Sequence, residues 1–256
     1  MIVFLHIPKT AGTTFRFILE STFGISNCHT NQTKRESFRQ SDLDFAKMFF
    51  PRLRAIAGHN LVDPLQLAVG QHPFYMTFMR EPVMRAISHY QDWVLRGHIK
   101  TGFEECLRKN EDLENLQVKL MAGGRDLDKA KRFLEKCHFV GFTENFDLSL
   151  HLLERICPYK LDLNYKRKVV ARDNSVKKTL MADSRMMELA REYNKLDIEL
   201  HRFAVDEIFP RLCEKAGLNP QDKAPSHEIH TGKFRPNYRI GRFYNKIFRV
   251  ACKFRS

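Results

Sequence analysis

Short runs of β-forming residues alternate with helical periodicity through residue 142, and that alternation constrains the fold more than any other feature. The runs are residues 2–7 (IVFLHI), 53–57 (LRAIA), 74–79 (FYMTFM) and a weaker one at 139–142 (FVGF). Each ends in a polar turn, and three lead into a segment whose apolar residues recur three or four apart. Helices are expected over 13–23, 83–95, 113–121, 127–137, 145–156 and 184–209. Strands separated by helices cannot pair through tight hairpins. They pair in parallel, with the helices crossing over the sheet faces. The expected fold is therefore α/β: a P-loop-like parallel sheet of four or five strands flanked by helices, with a helical C-terminal half. Ligands in such sheets bind beyond the carboxyl ends of the strands. That directs attention to residues 8–14, 58–63, 80–90 and 143–145.

Composition narrows the class. Hydrophobic residues make up 43% of the 256-residue chain, enough to bury a core and to exclude global disorder. No run approaches the length of a membrane-spanning helix, and MIVFLHIPK lacks the basic start of a signal peptide. Lys and Arg exceed Asp and Glu by 43 − 30 = 13, which favours a polyanionic partner. The six cysteines form no C-x-x-C pair, a distribution suited to reduced thiols and not to a zinc site. Residues 1–218 contain no repeat or linker and read as one domain. Residues 219–256 read as an irregular segment followed by a tail, 239–255, with six Lys or Arg and no acidic residue. Apolar residues recur in the tail at helical spacing, so it forms a basic amphipathic helix. Such a helix either docks on the domain or lies in a membrane surface, with Phe243, Phe248 and Phe254 entering the lipid.

The first turn, HIPKTAGTTF, crowds Lys9 and the hydroxyls of Thr10, Thr13 and Thr14 between a strand and a helix. Pro8 ends the strand, Gly12 permits close backbone approach, and Thr13 or Thr14 can cap the helix. Backbone N–H groups at a helix N-terminus attract an anion, and Lys9 would add a full charge. The order of lysine and glycine is not that of the G-x-x-x-x-G-K-[ST] loop. A solvated lysine beside a capped helix explains this turn equally well. The second turn, FMREPVMRAISHY, puts Arg80 at a strand end, Pro82 in a first helical turn and Ser88 two turns further on. A forked guanidinium and a hydroxyl would clamp a phosphate. A surface ion pair around Arg80 is the plainer alternative. Of the eleven histidines, His59 is best placed for proton transfer, because it follows the second β run at the ligand edge. His72 and His89 are reserves, and His6 reads as structural. His227 and His230 lack the partners a metal site needs.

These two turns together resemble the cofactor-binding motifs of sulfotransferases that use 3′-phosphoadenosine 5′-phosphosulfate (PAPS). The likeness is greatest to the carbohydrate group, the heparan sulfate 2-O- and 6-O-sulfotransferases. It continues in the same order at ENLQVKLMAG (114–123), VGFTENFDLSLHLLE (140–154) and NKLDIELHRFAVDEIF (194–209), over roughly residues 1–210. The resemblance implies an O-sulfotransferase with PAPS as co-substrate, 3′,5′-adenosine bisphosphate as product and no metal. It implies that Lys9 steadies the sulfate and its bridging oxygen, while Thr10, Ala11, Gly12, Thr13 and Thr14 wrap the 5′-phosphate. Arg80 and Ser88 would bind the 3′-phosphate, Thr143 would contact the adenine, and His59 would be the base. The expected acceptor is a carbohydrate, a glycan or glycolipid that an acidic character would suit, and Arg96, Lys100, Lys119, Arg125, residues 166–168, Arg172, Lys177 and Lys178 either line a groove for it or are solvated helix faces. Tyr90 and Trp93 either stack on a sugar or pack in the core, and Lys233 and Arg235 would reach the phosphate end. Read from Met1, the chain is expected in the cytoplasm, peripheral at the inner membrane surface if its tail binds lipid. A trimmed N-terminal anchor would place it in the Golgi lumen. A nucleotide or sugar kinase and a nucleic-acid-binding module are the rival readings. No nucleic-acid recognition signature supports the latter, and no nucleic-acid partner is expected.

Overall fold

The computed structural model describes residues 1–165, 173–228 and 236–254. Five parallel strands, β1 (Ile2–Leu5), β2 (Asn27–His29), β3 (Ala55–Gly58), β4 (Phe74–Met79) and β5 (Phe139–Phe142), form one sheet in the order β2-β3-β1-β4-β5. β1 is central, pairing Leu5 with Gly58 of β3 on one side and with Thr77 of β4 on the other. From β1 the chain crosses to the edge strand β2, returns inward through β3, and then passes to the other side of β1 for β4 and β5. The loop after β1 therefore sits at the switch point, with the ends of β3 and β4 beside it. β2 is absent from the sequence expectation because three residues, NCH, carry no measurable period.

Twelve α-helices are described: α1 (Gly12–Phe23), α2 (Gln40–Phe49), α3 (Pro82–Leu95), α4 (Phe103–Lys109), α5 (Leu116–Ala122), α6 (Leu127–Lys136), α7 (Phe146–Ile156), α8 (Ser175–Ala182), α9 (Ser184–Tyr193), α10 (Lys195–Phe203), α11 (Phe209–Ala216) and α12 (Pro236–Lys253). The expected helices at 13–23, 83–95, 127–137 and 145–156 lie within a residue or so of α1, α3, α6 and α7. The short α2, α4 and α8 are additional.

Two expected helices are corrected. The stretch 184–209 is not continuous. Asn194 is fully buried, and its side-chain amide donates to the carbonyls of Ala190 and Leu113, which ends α9 and starts α10. A π-turn, Ala204–Ile208, then leads into α11. The stretch 113–121 begins later, at Leu116, because Asn115 turns left-handed with φ 44°.

α5 and α10 cap one another. Asn115 Oδ1 accepts from the N–H groups of Leu196 and Asp197 at 2.9 and 3.1 Å. The Asp197 carboxylate accepts from Gln117 and Val118 at 3.0 and 2.8 Å. Each side chain thereby satisfies donors that a helix N-terminus leaves open.

The core is aromatic on the face that carries α1, with Phe4, Phe15 and Phe78 in edge-to-face and tilted contact. A smaller cluster under α3 holds Ile87, Tyr90, Phe103 and Leu113, so Tyr90 is a core residue whose hydroxyl donates to the Thr101 carbonyl.

α12 docks on α1 and on the edge strand β2. Its Asn245 behaves like a missing strand partner: Oδ1 accepts from the N–H of His29, and Nδ2 donates to the carbonyl of Asn27, both at 2.8 Å. That covers an edge that would otherwise present unpaired backbone groups. Gly241 lies against the Gly24 backbone with no room for a Cβ, and Phe248 is fully buried against Phe45, Phe49 and Phe50. Phe248 is thus withdrawn from the residues expected to meet lipid, while Phe243 and Phe254 stay exposed.

Candidate active site

The loop after β1 is built from strained backbone. Lys9 and Ala11 both adopt left-handed φ, 70° and 59°, a conformation in which non-glycine residues are uncommon. Alternation of this kind is how successive N–H groups come to converge on an anion. Ala11 is the N-cap of α1, and among the described residues no side chain caps that helix. The expectation that Thr13 or Thr14 serves as the cap is therefore corrected: both lie within the first turn, and among the described residues no side chain takes the N-terminal donors of α1, of which Thr14 N–H donates to the Ala11 carbonyl at 2.9 Å.

Thr10 is also re-assigned. It is fully buried, and its hydroxyl donates to the Ile7 carbonyl at 2.9 Å, so that hydroxyl is engaged within the loop itself. Gly12 is required by space and not by φ, because a Cβ there would overlap the His6 ring. Gly12→Ala is accordingly expected to cost about 1–3 kcal/mol of stability and to lower turnover by displacing His6. Thermal denaturation alongside an activity assay reads both effects.

The second loop meets the first directly. Arg80, half-buried at the end of β4, donates from Nη1 to the Lys9 carbonyl at 3.1 Å. Its own backbone is held on both sides by the fully buried Gln117, with Oε1 accepting from Arg80 N–H at 3.2 Å and Nε2 donating to its carbonyl at 3.0 Å. Lys9 Nζ lies 3.6 Å from Asp92 on α3. Burial lowers the lysine pKa, Asp92 raises it in part, and the nearby guanidinium of Arg80 lowers it again. Ser88 lies one turn before Asp92 and hence on the same face of α3.

α3 starts at Pro82 with Glu81 as its N-cap, accepting from Val83 and Met84. Arg85 is fully buried on α3, donating to the Asp112 carbonyl at 3.0 Å, and burial brings its pKa down to about 10 despite Asp197 and Asp112. Thr143 follows β5 and donates its backbone N–H to Met79, the residue before Arg80. Its hydroxyl is buried without a partner among the described residues.

On the other side of the first loop, His59 follows Gly58 at the end of β3. Its Nδ1 is 2.6 Å from the His6 carbonyl. A carbonyl can only accept, so Nδ1 carries the proton and Nε2 keeps the lone pair. The two imidazoles pack at a 40° tilt with centroids 3.9 Å apart. The His59 backbone N–H donates to Asn31 Oδ1 at 2.9 Å, and Gly58 leaves the space that Thr30 and Asn31 occupy. Burial lowers the His59 pKa, partly offset by the bond to His6 and lowered further by Arg16. Its imidazole is therefore neutral at neutral pH.

The reserve histidines stand differently. His72 precedes β4, at the amino end of the sheet and away from the loops. His89 lies near Lys9, packs at a 42° tilt against the half-buried Trp93 with centroids 4.3 Å apart, and has its pKa brought down to about 3, chiefly by burial. Lys166–Lys168, Arg172, His230, Lys233 and Arg235 lie outside the described residues.

Four contributors were not singled out from sequence: Gln117, Asp92, Asn31 and Arg16. Asp92 had a signal, since it sits four residues after Ser88. Arg16 had one too, three residues after Thr13 on the same helix face. Gln117 and Asn31 reach the site only through contacts between segments distant in the chain.

Comparison with known proteins gives three findings. The family model described as "Sulfotransferase family" matches residues 1–204. A heparan sulfate 2-O-sulfotransferase, hst-2, of Caenorhabditis elegans is 25% identical over 151 residues, covering 55% of this chain and 46% of that protein. The chain thus spans about half the length of the curated relative it matches. A crystal structure of a sulfotransferase from Alicyclobacillus acidocaldarius superposes with a TM-score of 0.43 at 14% identity, covering 77% of this chain and 95% of that one.

Proposed function

The chain belongs to the sulfotransferase family, and from that premise we propose that it moves a sulfuryl group from PAPS to a carbohydrate hydroxyl by in-line displacement. The observation that carries this reading is the bond from Arg80 to the Lys9 carbonyl, which makes one crevice of the two cationic loops beside His59. PAPS would supply an activated sulfuryl group with a phosphate leaving group. The N-terminus of α1, which no described side chain caps, and the left-handed loop suit one phosphate of that molecule. Arg80 and Ser88 suit the other. The unpartnered Thr143 hydroxyl suits a polar edge of the base. Lys9, held between Asp92 and the loop, would neutralise charge on the departing oxygen. His59 Nε2 would take the acceptor hydroxyl's proton, with the His6 carbonyl fixing the tautomer. The carbohydrate acceptor is supported by the name of the curated relative.

Binding of the product nucleotide tests the crevice without needing the acceptor. Saturation with 3′,5′-adenosine bisphosphate at about 100 times its Kd is expected to stabilise the fold by about 2.7 kcal/mol. For a chain of this size that is a rise in Tm of about 5–10 °C. ATP with magnesium is expected to give a smaller rise. Arg80→Ala should weaken the nucleotide about 10–100-fold, as expected when a charged hydrogen-bond donor is lost. An equal response to both nucleotides, or an unchanged one in Arg80→Ala, would count against the reading.

A further inference from the structure

The tail helix α12 presents three different stripes, and only one of them is used by the domain. Gly241, Asn245 and Phe248 face inward. Ile240, Phe243, Ile247, Val250 and Phe254 all face solvent, with Phe243 at 64% and Phe254 at 84% exposure. Their spacing, alternately three and four residues, keeps them on one line along the helix. Every one of them is immediately preceded by a cation: Arg239, Arg242, Lys246, Arg249 and Lys253. These five are exposed as well and form a basic stripe bordering the apolar one. The helix carries no acidic residue from Pro236 to Lys253.

Docking on the domain therefore explains one face of the helix and leaves its amphipathic outer surface unexplained. We infer that this outer surface of α12 is a binding face for an anionic lipid bilayer. The charge pattern selects that occupant. A second copy of the chain seated on the same apolar line would bring two uninterrupted basic stripes together with no carboxylate from either helix, which is repulsive. An anionic bilayer offers an apolar layer for Phe243, Ile247 and Phe254 and negative headgroups for the flanking cations, whose long stems can reach up to them. No described helix is long and apolar enough to cross a membrane, so the contact is interfacial. The arrangement also ties the bilayer to the proposed catalytic edge. Asn245 of α12 braces β2, and the loop directly after β2 carries Asn31, which holds the His59 backbone.

Sedimentation with vesicles tests this on the whole chain. Vesicles of phosphatidylcholine containing phosphatidylserine should pull the protein down, vesicles of phosphatidylcholine alone should not, and added salt should release it. Lys246→Gln combined with Arg249→Gln should weaken binding about 30-fold. Phe243→Ser combined with Ile247→Ser should weaken it at least about tenfold. All four side chains are exposed, so Tm and the response to 3′,5′-adenosine bisphosphate should not change in either variant. That separates this inference from the proposed nucleotide site. Equal binding to neutral vesicles, absence of binding, or indifference to both variants would overturn the assignment. So would concentration-dependent dimerisation abolished by Phe243→Ser with Ile247→Ser, which would give the face to a second copy.

Discussion

His59→Ala is expected to lower kcat by about 10²–10⁴-fold, the usual contribution of a positioned general base, while leaving the thermal response to 3′,5′-adenosine bisphosphate intact. The separation follows from geometry. The nucleotide's proposed contacts come from the loop after β1 and from Arg80 just after β4, whereas His59 enters from the end of β3 on the other side of β1. His59 is oriented through two bonds that involve no ligand, Nδ1 to the His6 carbonyl and its backbone N–H to Asn31. Its pH dependence should carry the same signature. The neutral imidazole is the active form, and burial depresses its pKa below the ordinary value of about 6.5. The acid limb of kcat/KM should therefore fall below pH about 6.5, with full activity above it and a plateau through neutrality. In His59→Ala that limb should vanish together with the rate. Full turnover in the variant would remove the base role from His59. His89, neutral but brought down to about 3, would be a weak replacement.

Asp197→Ala is the substitution expected to cost the most stability, about 3–5 kcal/mol. The carboxylate is fully buried, accepts from two backbone N–H groups at the start of α5, and is the leading opposite charge acting on the buried Arg85. Its removal orphans two donors and takes away the leading opposite charge on Arg85, which keeps its bond to the Asp112 carbonyl, and each loss is costly in a low-dielectric interior. A fall in Tm of about 6–20 °C is the corresponding readout. Asp197→Asn keeps an acceptor oxygen but not the charge, so an intermediate loss is expected. The effect should also reach the site. Gln117, whose N–H the carboxylate holds, clamps both backbone groups of Arg80, so a folded Asp197→Asn protein should bind 3′,5′-adenosine bisphosphate more weakly. A loss below about 1 kcal/mol would mean that α5 and α10 do not depend on their mutual caps.

Legibility followed sequence distance. The loops carrying Lys9 and Arg80 were visible because strand, turn and helix are contiguous there, and the residues of each loop are read together. The alternation of β runs and helices was enough to expect a parallel sheet, although β2 is too short to show a period. The break at Asn194 was hidden for a different reason. Asparagine is tolerated in a helix, and only its buried bonds to Ala190 and Leu113 show that the chain turns there.

By itself the sequence determined the α/β class, the two cationic turns, His59 at a strand end, and a basic amphipathic tail. Those follow from periodicity and local turn chemistry, which need no partner from elsewhere in the chain. Only the tertiary structure decided that Arg80 reaches Lys9, that the His6 carbonyl sets the His59 tautomer, and that Thr10 turns inward. It also decided that Gly241, Asn245 and Phe248 are the face of α12 that docks. Each of these depends on a contact between segments far apart in sequence. Burial and hydrogen bonding, unlike periodicity, have no value until both partners have been brought together.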